Sequence, residues 1–420
     1  MFKKIKFISI ALFLIVIITG CSSNGENTNA SGVDTNSKSD DKTTITLWDS
    51  QALEPMVDAI EEIIDKYESA NPDVEIERSY VPFSDIKDKL LLGSASDELP
   101  DIVMLDGPDH QSFAASGVLQ DITDEVNDWG EIDQYYDAPL SHVIYDDKYY
   151  GIPAGTNNIG LFYNADMLSD AGVDPPTSWE ELKEAAKILT NENDNVFGFA
   201  IAAEKSEQLT YQHLPFLWQS GADLTNLDSD GTIEMANYLK SFLDEGYMSK
   251  DILSQDQQAG FDQFMAGKVA MIMSGPWQLP VVEEEVDFDW GLEPLPSGKS
   301  EYTSVGGSDW AITSNSENKD IAWDIIKFSQ EDDNLISLLQ SGGRLPTRED
   351  ISDDPFWKED ENMKTFADQT ENAKARDYGE NYPSISEEFQ EMMQEIYTDS
   401  KTPEQAIKDA EKEIDELLNE

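Results

Sequence analysis

The sequence predicts an α/β fold built on a mostly parallel sheet with helices on both faces. Three observations carry that expectation. Strand-like and helix-like segments alternate from residue 44, residues 102–105 are apolar throughout, and the apolar and aromatic content is ordinary for a globular chain. Residues 44–48 alternate polar and apolar side chains, as a half-buried strand does. Helical spacing follows over 54–70, with Met56, Ile60, Ile64 and Tyr67 on one face, and Asn71-Pro72 stops it. Residues 74–80 read as a second strand and 83–92 as a second helix. Pro100-Asp101 then introduces 102–105, whose unbroken apolarity suits a central strand covered on both faces. Ligands of such sheets bind beyond the carboxyl ends of strands, which points to the segments after Leu47 and Leu105.

A second set of elements begins near Gly155. Ser178-Trp179-Glu180-Glu181 has capping-box spacing and opens a helix to about Leu189. Residues 268–274 are strand-like and end at Gly275-Pro276-Trp277, where the chain must turn. Thr402-Pro403-Glu404-Gln405 is another capping box, and Ile407, Ala410, Ile414 and Leu417 form one stripe of a terminal helix. No fixed short period repeats, which argues against a solenoid.

The first residues, MFKKIKFISIALFLIVIITGCSS, read as an export leader. Lys3, Lys4 and Lys6 precede an apolar run from Phe7 to Ile18 that is shorter than the roughly 20 residues a membrane-spanning helix needs. Ile18-Thr19-Gly20-Cys21 resembles the bacterial lipobox, with Ile where Leu is usual, so residues 1–20 are expected to be removed and Cys21 acylated, as with palmitate. Residues 21–42 carry no aromatic and almost nothing apolar, the composition of a flexible linker. Cys21 is the only cysteine, so no intrachain disulfide staples the fold.

Charge narrows the partners. The formal net charge is −58, which repels nucleic acid and anionic lipid, so membrane contact would rest on acyl chains at Cys21. The acids are dispersed, as in a surface adapted for solubility, although a binder of a cationic solute such as a polyamine is a second reading.

Motifs for chemistry are sparse. His110, His142 and His213 are the only histidines and none lies in H-E-x-x-H, so no metal site is expected. No P-loop, G-x-G-x-x-G or G-x-S-x-G occurs, so no cofactor is expected. Asn226 to Gly231 resembles the start of a calcium loop but has Asn first and Asn237 where a bidentate Glu belongs; it reads as an Asp/Gly turn. With 86 acids, a carboxylate pair for glycoside hydrolysis carries no signal by counting, and a tethered extracellular hydrolase stays as a competitor.

Tryptophans and arginines are more telling. Trp48, Trp277 and Trp310 sit at turns, the last two just after glycines, where a flat ring can cover the apolar face of a pyranose or simply plug a core edge. Of only four arginines, Arg344 lies in the loop sequence Ser341-Gly342-Gly343-Arg344-Leu345-Pro346-Thr347, where its fork can bridge two hydroxyls or hold a neighbouring Asp.

An ordered set of motifs runs from about Ile45 to the C-terminus: LWDS (47–50), LPDIVMLDG (99–107), FAASGVLQDIT (113–123), YYGIPAGTNNIGLFYN (149–164), PPTSWEELKEAAK (175–187), FDQFMAGKVAMIMSGPW (261–277), VGGSDWAI (305–312) and GGRLPTR (342–348). In them the chain resembles an extracellular solute-binding protein of an ABC sugar importer, the class that includes maltodextrin-binding proteins. The resemblance implies a periplasmic-binding-protein-like fold of two α/β lobes, each a mostly parallel sheet flanked by helices. Three crossings would join them near 153–156, 305–307 and 345–350. Residues 43–154 with 306–346 would form the first lobe, and 155–305 with 347–420 the second. It further implies a monomeric, non-catalytic receptor held outside the cell membrane by its lipid, closing on a mono- or oligosaccharide and docking on the permease subunits. The first wall would include Trp48, Asp106, Asp109, His110 and Trp310, and the second Asn157, Asn158, Trp218, Trp277 and Tyr378. Asp309 and Arg344 would sense closure near the crossings.

Overall fold

The computed structural model describes residues 42–419; the leader, Cys21 and the linker up to residue 41 lie outside the described residues. The alternating start of the chain forms β1 (Thr43–Asp49), with Ile45 and Leu47 turned into the core. Helix α1 (Glu54–Ala70) buries Met56, Ile60, Ile64 and Tyr67, the face its spacing predicts, and β2 (Val74–Tyr80) pairs parallel with β1. Helix α2 (Ile86–Ser96) starts three residues later than predicted because residues 82–86 turn first: the Pro82 carbonyl accepts from the amides of Asp85 and Ile86. That turn leaves Phe83 lining a cleft instead of on a helix. Strand β3 (Ile102–Asp106) is buried from Ile102 to Leu105 and lies parallel on the other side of β1.

Two strands follow one another at the centre of the chain, β4 (Ile152–Asn157) and β5 (Gly160–Asn164). Helix α3 (Trp179–Leu189) starts at the expected cap: Ser178 Oγ accepts from the Glu181 amide at 3.3 Å. The Glu181 carboxylate reaches the Thr177 amide at 2.9 Å, one residue before the position a capping box uses. Helix α4 (Glu207–Gln219) is followed by the segment that resembled a calcium loop, where Ser229 Oγ instead accepts from the Thr232 amide and starts the helix Asp230–Asp244. Strands β6 (Met271–Ser274), β7 (Trp290–Glu293) and β8 (Gly306–Ile312) complete the sheets described below. Helices α5 (Asp332–Ser341), α6 (Tyr382–Tyr397) and α7 (Pro403–Asn419) close the chain, and α7 buries Ile407, Ala410 and Ile414 as its stripe predicts.

The first sheet has the order β2-β1-β3-β8-β4, and only β8 runs against the other four strands. The second sheet corrects the expectation of parallel strands in both lobes. Its order is β6-β5-β7, and β5 is antiparallel to both neighbours. Parallel pairing in that part of the chain is limited to one two-residue strand pair, Thr303–Ser304 with Ala373–Lys374, and to isolated bridges, Phe197 with Val269, Ala200 with Ile272 and Ser178 with Ser297.

Each sheet has its own core. Ile45, Ile102 and Trp310 pack with α1, while Leu161, Leu182, Phe199 and Leu239 pack with α6 and α7. Helix α5 serves both sides: Leu338 joins the first core, and Leu335 and Leu339 pack with Phe162, Trp357 and Phe366. Beside it three stretches of chain run together. Thr156 and Leu345 pair through their backbones, and Thr156 Oγ1 donates to the Gly306 carbonyl at 3.0 Å.

Candidate functional site

A cleft of about 490 Å³ opens where these stretches meet the carboxyl ends of β1, β2 and β3. Ser50 to Leu53, Pro55 and Met56 after β1 and Asp106 at the end of β3 line it, as the strand-end rule predicts, and so do Tyr80 at the end of β2 and Pro82 to Ser84 after it. The facing wall comes from Glu204, the start of α4 (Glu207, Gln208, Tyr211), residues 254–259, Trp277 and Pro280. Asn157, Gly306 to Ser308, Gly342, Arg344 and Arg376 form the floor.

Buried ions join the two walls. The Glu207 carboxylate accepts from Arg376, Tyr382 and Ser386, the last at 2.5 Å, and faces Lys87 of α2 at 3.8 Å. Arg376 also donates to Asp106 at 3.3 Å across the cleft and lies 4.7 Å from the Tyr211 ring centre. Burial alone would raise the Glu207 carboxyl, but Lys87 and Arg376, with Ser386 and Tyr382 donating, hold it below its ordinary range. Asp106 moves the other way: burial raises it, Arg376 opposes, and Glu207 adds to the rise. Lys87 completes the set by pairing with Asp109 at 2.7 Å. Burial outweighs that lysine and, with Glu207 and Asp106 nearby, pushes Asp109 up to about 6.

Of the residues named from the sequence, Asp106, Asn157, Trp277 and Arg344 line the cleft. Tyr211 donates to Asn157 Oδ1 at 2.7 Å, and Trp277 folds back over Gly275, where a Cβ would lie 1.9 Å from its ring. The other residues are occupied elsewhere. Trp48 packs at the edge of the first lobe's core under Lys89, whose Nζ is 3.8 Å from the ring centre. Trp310 is part of the first core, and Asp109 is held by Lys87. His110 is fully buried and donates through Nε2 to the Tyr150 carbonyl at 3.0 Å; burial lowers its pKa to about 4. Asp309, 3.9 Å from His110, is buried and pushed far up by burial and by Asp106. Asn158 donates to the Phe366 carbonyl at 2.8 Å, and Trp218 donates to the Tyr378 hydroxyl at 3.1 Å, a pair that closes the second core.

Sequence reasoning missed Gln51, Tyr80, Phe83, Glu207, Tyr211 and Arg376. Tyr80 and Phe83 carried a signal, because Tyr80 ends a predicted strand and Phe83 lies just beyond it, as the segments after Leu47 and Leu105 do for their strands. Arg376 carried a weaker one in the scarcity of arginine. Glu207 is one acid among 86 and Tyr211 one tyrosine among 15, with no local pattern to mark them.

The model of the family described as bacterial extracellular solute-binding protein matches residues 62–365. An arabinooligosaccharide-binding protein of Halalkalibacterium halodurans is 23% identical over 397 residues, 86% of each chain. A galactooligosaccharide-binding protein of Bacillus subtilis is 20% identical, covering 80% of this chain and 78% of its own. The fold is shared with a solved ABC transporter solute-binding protein from Thermotoga lettingae bound with alpha-D-tagatose. There the TM-score is 0.84 at 24% identity, over 90% of this chain and 100% of that one.

Proposed function

The chain belongs to the bacterial extracellular solute-binding proteins, and from that premise we propose that it captures a carbohydrate in the cleft and delivers it to the permease subunits of an ABC importer. The cleft carries this reading. Its volume of about 490 Å³ falls within the roughly 300–1,000 Å³ of small-ligand sites. It offers the apolar surfaces of Trp277, Tyr211, Phe83 and Met56 beside the amides of Gln51, Asn157, Gln208 and Gln257. That mixture suits a sugar, whose C–H faces are apolar and whose edges are hydroxyls.

In this reading the first lobe comprises 43–154 with 306–346, and the second 155–305 with 347–420. Ligand contacts both walls only when they are together, so its preference for the closed form drives closure. Removal of residues 1–20 leaves Cys21 as the acylated anchor, and residues 21–42 act as the leash. The receptor works as a monomer, without metal or cofactor, and returns its ligand uncleaved; Asp106 and Glu207 share Arg376, an arrangement that suits a binding wall.

Calorimetry against a panel of neutral and acidic mono- and oligosaccharides tests the reading. Saturable binding with the sugar recovered intact is expected, and a folded protein that binds none of them overturns it. Chain cleavage on overnight incubation would make it a hydrolase. Mass analysis of the mature N-terminus is expected to find acyl chains on Cys21, and an unmodified or absent Cys21 overturns the anchor.

A further inference from the structure

Arginine is scarce in this chain, and three of the four arginines are matched to carboxylates. Arg78 pairs with Asp49 and Glu61, Arg348 with Asp332 and Asp350, and Arg376 with Glu207 and Asp106. Arg344 alone has no ion pair among the described residues. One of its five N–H groups meets a neutral acceptor, Gln51 Oε1, at 3.3 Å. In a chain with 86 acids that vacancy is not a shortage of partners.

The residue is also held in place. Its backbone amide donates to Leu339 at 2.7 Å and its carbonyl accepts from Trp357 Nε1 at 2.8 Å. Its stem fills the space left by Gly155 and Gly342, where a Cβ would come within 3.3 and 3.4 Å of Arg344 Cγ. The guanidinium carbon then sits 5.7 Å from the Trp277 ring centre, on the floor of the cleft.

A ligand that fills the cleft takes this cation out of contact with solvent. Hydroxyls replace that contact only in part, whereas a carboxylate forms a bidentate, charge-assisted pair with the planar fork. Burial lowers the Arg344 pKa, and Asp106, already engaged by Arg376, offsets this only in part. The other cleft acids do not take the carboxylate's place: Asp106 and Glu207 pair with Arg376, and neither Glu204 nor Asp256 forms an ion pair with Arg344.

We propose that Arg344 selects a sugar bearing a carboxylate, so that the ligand is a uronic acid or a uronate-containing oligosaccharide with its acidic group at Arg344 and Trp277. The inference rests on the carbohydrate reading above and narrows it. Calorimetry on the full-length mature protein with matched pairs tests it: galactobiose against digalacturonate, cellobiose against its glucuronate-bearing counterpart, and xylobiose with and without a glucuronosyl branch. At least one acidic member is expected to bind about tenfold or more tightly than its neutral partner. In R344Q that ratio should fall toward one, and in R344K it should fall to an intermediate value because the fork is lost while the charge remains. Neutral members that bind as tightly as their acidic partners, or more tightly, in every pair that binds overturn the inference and leave the carbohydrate reading standing. Absence of binding to every member of both sets overturns both. Because the wild-type ratio decides the matter, a variant that fails to fold does not rescue the proposal.

Discussion

Replacing Glu207 by Gln removes one charge from the buried cluster that joins the cleft walls. The carboxylate accepts from Arg376, Tyr382 and Ser386 and faces Lys87 at 3.8 Å. An amide keeps one acceptor oxygen but turns an NH2 group toward side chains that are themselves donors. Two unit charges 3.8 Å apart interact by about 4 kcal/mol at an effective permittivity near 20. Breaking a buried pair by removing one partner costs about 3–5 kcal/mol. Asp106 at 3.3 Å still compensates Arg376, and Asp109 at 2.7 Å still compensates Lys87, so the low end, about 3 kcal/mol, is expected. Urea unfolding followed by tryptophan fluorescence reads this directly, and thermal unfolding should show a midpoint lower by roughly 4 °C.

The same variant carries a pH signature. Glu207 is held below its ordinary value of 4.5, so the folded state binds fewer protons than the unfolded state there. Its contribution is therefore present above that value and is lost as pH falls through the depressed folded-state pKa. The gap between wild type and E207Q should be full at pH 7 and narrow in acid. A gap under about 1 kcal/mol at pH 7, or one that widens as pH falls, would refute the assignment of Glu207 as the charged centre of the cluster.

Three further outcomes follow from named contacts. Trp277→Ala should weaken sugar binding by at least about 1 kcal/mol in calorimetry, and an unchanged affinity in a folded variant removes Trp277 from the site. His213 is buried neutral, with a pKa lowered to about 3 by burial while it bonds the Leu209 carbonyl and Tyr397. Only the unfolded chain gains its proton below pH 6.5, so wild type should lose about 2 kcal/mol more than His213→Asn between pH 7 and pH 5 in urea titrations; equal losses contradict the buried neutral form. Gly343 has φ +59 and a Cβ there would lie 2.1 Å from the Pro276 carbonyl. Gly343→Ala should therefore displace Arg344 or Trp277 and lower both thermal midpoint and affinity, and wild-type values for both would show that the crossing tolerates the change.

What the sequence could express was local. The spans 54–70 and 74–80 match α1 and β2 residue for residue because periodicity and the Asn71-Pro72 stop are properties of neighbouring residues. The late start of α2 was hidden because Phe83 and Ser84 suit a helix and a turn alike, and Pro82 settles the matter through hydrogen bonds. The second sheet was hidden for a different reason. Strand direction depends on which segments meet, and β5 takes its partners from residues more than 100 positions downstream.

The glycine-flanked tryptophans show the same division within the site. Beside Trp310 the glycines serve close strand approach: a Cβ on Gly307 would lie 2.5 Å from the Gly155 carbonyl, and the ring turns into the first core. Beside Trp277 the glycine gives room for the ring itself, which stays at the cleft. One sequence signature thus has two physical causes, and only the second makes a ligand surface. Arginine is the clearer guide in this acidic chain, because a guanidinium among so many carboxylates is expected to be paired. Three of the four are paired, and the fourth lies on the cleft floor beside Trp277, so the missing partner marks the position a ligand's charge would occupy.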